Sequence, residues 1–248
     1  MVKTVESILA NSELPYGELE VVVVLDGYEP MFELLEDPRV RYIRQENTGM
    51  RGAINIAVKE AKGEYIARFD EHIMVCPGFD RILLETIEDD WIVTATRYCL
   101  DPVKWEVMDL PPVEYSKLIV AGAHERRKFA GVHWRGKNEE CKDVMIGETM
   151  AMQGSFWMMK KSWWEKVIVE LQSEGYGTHY QDSIEMTFKT WQAGGKLMLN
   201  KNVWFAHKHR SFRRTHNYGG ALATQCFAYA LSVWEPYYRQ VIRPRFKI

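Results

Sequence analysis

Cysteine is scarce and scattered: Cys76, Cys99, Cys141 and Cys226 are the only four in 248 residues, and no two form a Cys-x-x-Cys pair. That spacing argues against a zinc ribbon and a disulfide scaffold, and a reducing compartment is the expected home. Long apolar runs are missing too. The longest aliphatic stretch, Val21–Leu25, falls far short of the roughly 18 residues that a membrane span requires, so no span is expected. The first residues show no charged segment followed by an apolar one, so no secretory signal is read there. A Gly-rich phosphate loop near the N-terminus, which a nucleotidyltransferase of related α/β type would want, is absent as well. There is no internal repeat and no low-complexity tract.

Charge is nearly balanced over the whole chain, at −2, but not along it. From His207 to Ile248 there are eight Lys/Arg (Lys208, Arg210, Arg213, Arg214, Arg239, Arg243, Arg245, Lys247) against the single acid Glu235, which is +7 and leaves −9 for the rest. Such an asymmetry suits either an anionic partner, such as a phosphate, nucleotide or nucleic acid, or a solvated basic surface.

Helix-like and strand-like segments alternate in the first half, the rhythm of βαβ units. Val5–Ala10 reads as the end of a helix. Glu20–Asp26 (EVVVVLD) reads as a buried parallel strand with its functional loop at the carboxyl end. Pro30–Leu35 reads as a helix and Val40–Ile43 as a strand. Arg51–Ala61 reads as an amphipathic helix stopped at Gly63. Glu64–Phe69 and Trp91–Arg97 read as strands, with a helix over Phe79–Ile87 between them. Asp101 to Asp143 is expected to hold loops and a β-hairpin. Beyond it, Met150–Met159 is strand-like, Lys161–Gln172 and Ser183–Gln192 are helix-like, and Lys196–Leu199 and Val203–His207 are short strands. An aromatic-rich helix over Gly220–Gln240 ends the pattern.

The sharpest local chemistry is Asp70-x-His72 directly after the strand EYIARF. A carboxylate and an imidazole two residues apart at a strand's carboxyl end can turn toward one cation, and oxygen with nitrogen ligands suits Mn²⁺ or a similar divalent ion. Alone, an Asp-x-His is more often a turn acid beside a surface histidine. Its company changes the reading. Upstream stands ENTGMRGAINIAVKEAKGEYIARFDEH (Glu46–His72); downstream come GSFWMMKKSWW (Gly154–Trp164), QDSIEMTFKTWQAGGKL (Gln181–Leu197), WFAHKHR (Trp204–Arg210) and AYALSVWEPYYRQVI (Ala228–Ile242). In this order and spacing, from about Thr4 to Ile242, the chain resembles the GT-A glycosyltransferases, namely the family 27 polypeptide N-acetylgalactosaminyltransferases and their family 2 relatives.

The resemblance implies a GT-A fold, α/β with a Rossmann-like mixed central sheet flanked by helices. It implies a single catalytic domain over 1–248 with the basic segment 207–248 and its helix packed on it. These families begin with a strand of the type VSVIIPxYNE, whereas Met1–Ala10 resembles the helix that follows it, so the usual first strand is expected to be lacking. Carried over by position, Asp70 and His72 match the Asp-x-His metal pair and His207 the third protein ligand, with His209 as fallback. The cofactor implied is Mn²⁺ or Mg²⁺, bridging the phosphates of a nucleoside diphosphate sugar, by family usage a UDP-sugar. Arg210 matches an arginine that takes a phosphate oxygen, and Asp26 the acid that contacts the nucleoside. Asn47 and Arg51 fall where donor contacts are useful, although Arg51 equally suits a helix start. Asp182 and Glu185 match the two acids of a Glu-Asn-Leu-Glu segment, and Trp191 the tryptophan after it. Their ordinary readings are a helix N-cap, a solvated helix residue and a core residue.

Inverting family 2 enzymes keep a catalytic aspartate where this chain has Ser183, a hydroxyl with no useful pKa. The resemblance therefore implies a metal-dependent transfer of sugar to an acceptor hydroxyl with retention, with Asp182 as the alternative base that an inverting reaction would use. The +7 segment with interleaved aromatics makes a hydroxymethylated base in DNA a candidate acceptor; protein Ser/Thr, a glycan, or a silent sugar-nucleotide or nucleic-acid binding module are the alternatives. A cytoplasmic location is expected, a host's cytoplasm for a viral source.

Overall fold

A computed structural model describes residues 1–124, 127–208 and 221–248. Helix α1 (Val2–Asn11) is followed by β1 (Val21–Asp26) and β2 (Val40–Gln45), which pair in parallel from Val21 opposite Val40 to Asp26 opposite Gln45. They form a two-stranded sheet of their own. The apolar run at 21–25 is thus a parallel strand as read, but only Leu25 of it is buried. Helix α2 (Gly49–Glu60) packs on β1 and turns Ile54 and Val58 inward, four residues apart on one face.

Among the described residues the main sheet has seven strands. Its path runs β3 (Tyr65–Phe69), β10 (Phe156–Lys160), β5 (Trp91–Asp101), β11 (Lys196–His207), β4 (Ile73–Val75), with β6 (Glu106–Val107) on β5 and β9 (Ile146–Glu148) on β11. A separate hairpin joins β7 (Ser116–Ala121) to β8 (Lys128–His133), the hairpin expected within 101–143. Both faces of the sheet are covered, and β10 shows how. Trp157 and Met159 enter one core with Phe188, Trp191 and Trp234; Phe156 and Met158 enter the other with Ile8, Phe79, Leu83 and Phe205. The second core lies under α1 and α3 (Phe79–Leu84); the first lies under α6 (Asp182–Gln192) and α7 (Ala221–Tyr237), where Phe188 and Trp234 stack at 5.2 Å. The mixed central sheet between helices is the α/β fold expected.

Several elements differ from the sequence reading. Residues 30–35 form no helix: Met31 and Phe32 stay exposed, and six residues ahead of Pro38 bury no face that would offset a costly nucleus. The helix read over 161–172 is α-helical only in α5 (Lys161–Trp163), widens into a π-turn over Trp164–Ile168 and stops at Val169 with φ 61°. Lys189 Nζ donates to the carbonyls of Ile168 and Glu170, supplying partners where the helix ends. The apolar run 150–155 is irregular and becomes strand only at Phe156. The two short strands read at 196–207 are one strand, β11, whose register with β5 shifts between Asn200 and Trp204. A further short helix, α4 (Arg135–Glu140), follows the hairpin, and Pro236 near the end of α7 precedes a second π-turn (Tyr238–Ile242) and α8 (Arg243–Arg245).

Chain connectivity bends the sheet. β3 and β4 sit four places apart along its path, about 19 Å in a flat sheet. Only residues 70–72 join them, and Phe69 to Ile73 spans about 14 Å at full extension. The strands therefore curl toward each other at this end. The outer edge of β4 is closed by α1: the hydroxyls of Thr4 and Ser7 accept from the amides of Ile73 (3.0 Å) and Val75 (3.1 Å). Thr4→Val keeps the shape and leaves the buried Ile73 amide without its acceptor, so chemical denaturation should show a loss of about 1–3 kcal/mol.

Candidate active site

Three side chains converge at the curled end of the sheet. β3, β5 and β11 run the same way and β4 runs against them. Asp70 directly follows β3, His72 directly precedes β4 and His207 ends β11, so topology places all three at one end. Their ligand atoms lie within 4.8 Å of one another. Asp70 Oδ2 is 3.2 Å from His207 Nε2, and the His72 and His207 rings face each other at 4.6 Å. Glu71 Oε1 sits 3.1 Å from His72 Nδ1, which leaves Nε2 for ligation. The backbone braces the turn from both sides: the Asp70 amide donates to Ser155 O (3.0 Å) and the Lys208 amide to His72 O (3.3 Å). Burial alone would raise the pKa of Asp70, but the His207 hydrogen bond and the charges of Arg68 and His207 outweigh it and hold the carboxyl below its ordinary range. One ionised carboxylate with two imidazoles is a donor set suited to a divalent ion of the Mn²⁺ type. Ligands of such an ion stand about 3 Å apart when cis and about 4.2 Å when trans, at roughly 2.1 Å bonds. The 3.2 Å between Asp70 Oδ2 and His207 Nε2 is close to the cis spacing, and the set as a whole lies within 4.8 Å.

Arg68, two residues before Asp70 on the same face of β3, is a member of the site that sequence reasoning missed. Its Nη2 lies 2.7 Å from Asp70 Oδ1 and its Nη1 3.3 Å from Asp182 Oδ2. Asp182 heads α6, just after Gln181, which adopts a left-handed φ of 59°. Asp182 thus joins the metal-side cluster through a guanidinium.

The other candidates lie elsewhere. Asp26 caps the entry to α2, accepting from the amides of Thr48 and Gly49 (2.8 Å each), from Gln45 Nε2 (2.7 Å) and from Thr48 Oγ1 (3.0 Å). Burial opposes its ionisation, yet these hydrogen bonds leave its pKa lowered. Asn47 is exposed beside it, and Gly27, at φ 68°, is needed because a Cβ there would come within 2.6 Å of Asn47 Cβ. Arg51 does not reach solvent. Its side chain is 1% exposed, ion-paired through Nη2 to Glu185, bonded at 2.7 Å to the carbonyls of Gln172 and Tyr180, and laid over the Tyr176 ring. The structure thus places Arg51 inside the protein, away from the surface where a donor contact was expected, and nothing in the local sequence marks that burial. Glu185 is likewise buried, paired to Arg51 and Lys189, not a solvated helix residue. Trp191 is packed among Phe188 and Phe246 in the core. Arg210 and His209 lie outside the described residues.

A cleft of about 580 Å³ adjoins the ligands, lined by Glu71, His72, Lys208, Lys3, Phe32 and Trp105 among others. Trp105 holds a left-handed φ of 60° in the turn between β5 and β6, with Lys3 Nζ 5.5 Å from its ring centre. A bulky residue in that conformation is a marked outlier that only the surrounding turn can hold. The turn motif Asp101–Glu106 was the signal available for it, with Asp101 Oδ1 accepting from the amides of Val103 (2.9 Å) and Lys104 (3.1 Å).

Two stability outcomes follow. Arg51→Met should cost about 3–5 kcal/mol in urea unfolding, since Glu185 is left with its charge buried. Asp26→Asn should cost about 2 kcal/mol near neutral pH. A lowered carboxyl pKa gives stability that is present above the unfolded value and lost as pH falls through the folded one, so this difference should close in acid.

A model of glycosyl transferase family 2 matches residues 1–168. Among curated proteins, the chain is 23% identical over 221 residues to polypeptide N-acetylgalactosaminyltransferase 6 of Bos taurus, covering 80% of this chain and 33% of that protein. It is 23% identical over 236 residues to putative polypeptide N-acetylgalactosaminyltransferase 9 of Drosophila melanogaster, covering 88% and 34%. The chain therefore spans about a third of the length of these relatives. Among solved structures it superposes on the crystal structure of GalNAc-T7 with UDP, GalNAc and Mn²⁺ with a TM-score of 0.73 at 16% identity, covering 97% of this chain and 47% of that one. That likeness is one of fold, the GT-A glycosyltransferase fold. No helix among the described residues is long and apolar enough to cross a membrane.

Proposed function

The chain belongs to glycosyl transferase family 2, and from that premise we propose that it moves a sugar from a nucleoside diphosphate sugar, of the UDP type, to an acceptor hydroxyl. The observation that carries the reading is the convergence of Asp70, His72 and His207, from two distant stretches of chain, within 4.8 Å. These three would hold Mn²⁺ or Mg²⁺. When bound, such an ion offsets the negative charge that builds on the leaving diphosphate, which is where the demand of glycosyl transfer lies. Glu71 stands against His72 and Arg68 against Asp70. Lys208 and Lys3 bring positive charge to the adjoining cleft, while Trp105 and Phe32 offer it ring faces.

We favour retention of configuration. Ser183 stands where inverting relatives keep an aspartate, and Asp182 is engaged by Arg68, so the departing phosphate oxygen is the better-placed acceptor of the hydroxyl's proton. On the acceptor side the +7 of residues 207–248 supports a hydroxymethylated base in nucleic acid. Within that segment Arg239 is paired to Glu235 and Arg245 to Glu148, so the contribution of the remaining cations is what a salt titration of DNA binding would read. Steep loss of binding with rising salt supports this acceptor, and equal transfer to a small hydroxylated acceptor at high salt counts against it.

The transfer reading is tested by nucleoside diphosphate release from a panel of sugar nucleotides. Mn²⁺ should be required, chelation should abolish release and added Mn²⁺ restore it, and His72→Ala and His207→Ala should each slow it by about 100-fold or more. Release that is unaffected by chelator and by both variants would overturn it.

A further inference from the structure

We infer that Arg68 is a positioning residue of the metal-side cluster, which divides the two oxygens of Asp70 so that one faces the cation, and ties that carboxylate to Asp182 at the head of α6. The inference rests on the metal-centre reading above and deepens it.

The division is visible atom by atom. Asp70 Oδ1 lies 2.7 Å from Arg68 Nη2, while Oδ2 lies 3.2 Å from His207 Nε2 on the ligand side. A carboxylate held in this way presents one oxygen and is denied a bidentate pose. Arg68 Nη1 reaches Asp182 Oδ2 at 3.3 Å, so a single planar guanidinium separates two carboxylates that would otherwise repel. A planar fork does this; an ammonium is a point charge and serves one partner well. Arg68 is itself held in place, paired in register with Trp157 across β3 and β10, with Nη2 3.3 Å from Met50 Sδ and a side chain 14% exposed. Gly154 leaves it room. A Cβ at that position would stand 2.8 Å from Asp182 Oδ2 and 2.9 Å from Arg68 Nη1, so any side chain there must displace the pair.

The sign of the effect separates positioning from simple charge. Arg68 is a cation beside a cation site, so by Coulomb's law alone its neutralisation should tighten metal binding. If its work is to orient Asp70, neutralisation weakens binding instead. Full-length wild type, Arg68→Met, Arg68→Lys, Gly154→Ala and His207→Ala are titrated with Mn²⁺ alone, free Mn²⁺ being read by electron paramagnetic resonance, with thermal unfolding in the absence of metal as the check on folding. Arg68→Met should raise the Kd about 10- to 100-fold, the usual cost of losing a group that orients a ligand. Arg68→Lys should recover only part of that loss. Gly154→Ala, which keeps every charge and crowds the pair, should shift the Kd in the same direction; should Arg68→Met not fold, an unchanged Kd in Gly154→Ala overturns the inference and a raised one supports it. Binding by Arg68→Met as tight as or tighter than wild type, or full rescue by lysine, overturns the inference, and the metal centre survives it if His207→Ala has lost binding. Wild type that takes up no Mn²⁺ overturns both.

Discussion

A three-residue connection governs this molecule. Because residues 70–72 must carry the chain from one outer strand of the sheet path to the other, the sheet cannot lie flat at that end, and its strand termini are gathered into a small concave mouth. Everything of chemical interest is anchored there. β11 runs between β5 and β4 and delivers His207 at its last residue, and β10 meets β3 with Ser155 close enough to hold the Asp70 amide. Backbone geometry does most of the assembly, and the side chains complete it.

Arginine does two different jobs at the start of α6. Arg51 is sealed inside, where Glu185, two carbonyls and the Tyr176 ring surround it and hold α2 to the segment before α6. Removing such an ion strands its partner, which is why a buried pair is costly to break even when it adds little net stability. Arg68 stands at the rim, between two acids of the cluster. The two guanidiniums bond to acids three residues apart, Asp182 and Glu185, near the start of α6.

Local pattern singled out Asp70 and His72 but did not decide them, since an acid and an imidazole right after an apolar strand are more often a turn acid and a surface histidine; the motifs flanking them tipped the reading. His207 needed the family resemblance, because nothing in a strand ending in His-Lys-His tells which imidazole turns inward. Arg51, Glu185 and Trp191 were open to a wrong or divided reading for one reason: burial is decided by partners distant in the chain, and periodicity carries no trace of them. Arg68 carries no local sign because its partner Asp182 lies 114 positions away in the chain. The alternation of helix and strand survived well wherever an element buries a face, as in α2, β5, β10 and α6. It failed where no face is buried, over residues 30–35, and where a helix is cut short by a positive φ at Val169.

The spacing of His72 and His207 has a thermodynamic corollary. Those residues are linked through 134 intervening positions, so a ligand that engages both acts as a removable cross-link across more than half of the chain. Any species bound by the native state and ignored by the denatured one adds RT ln(1 + [L]/Kd) to unfolding, about 2.7 kcal/mol at a hundredfold excess over Kd. The melting temperature of this protein would then be a gauge of how much divalent ion its surroundings hold.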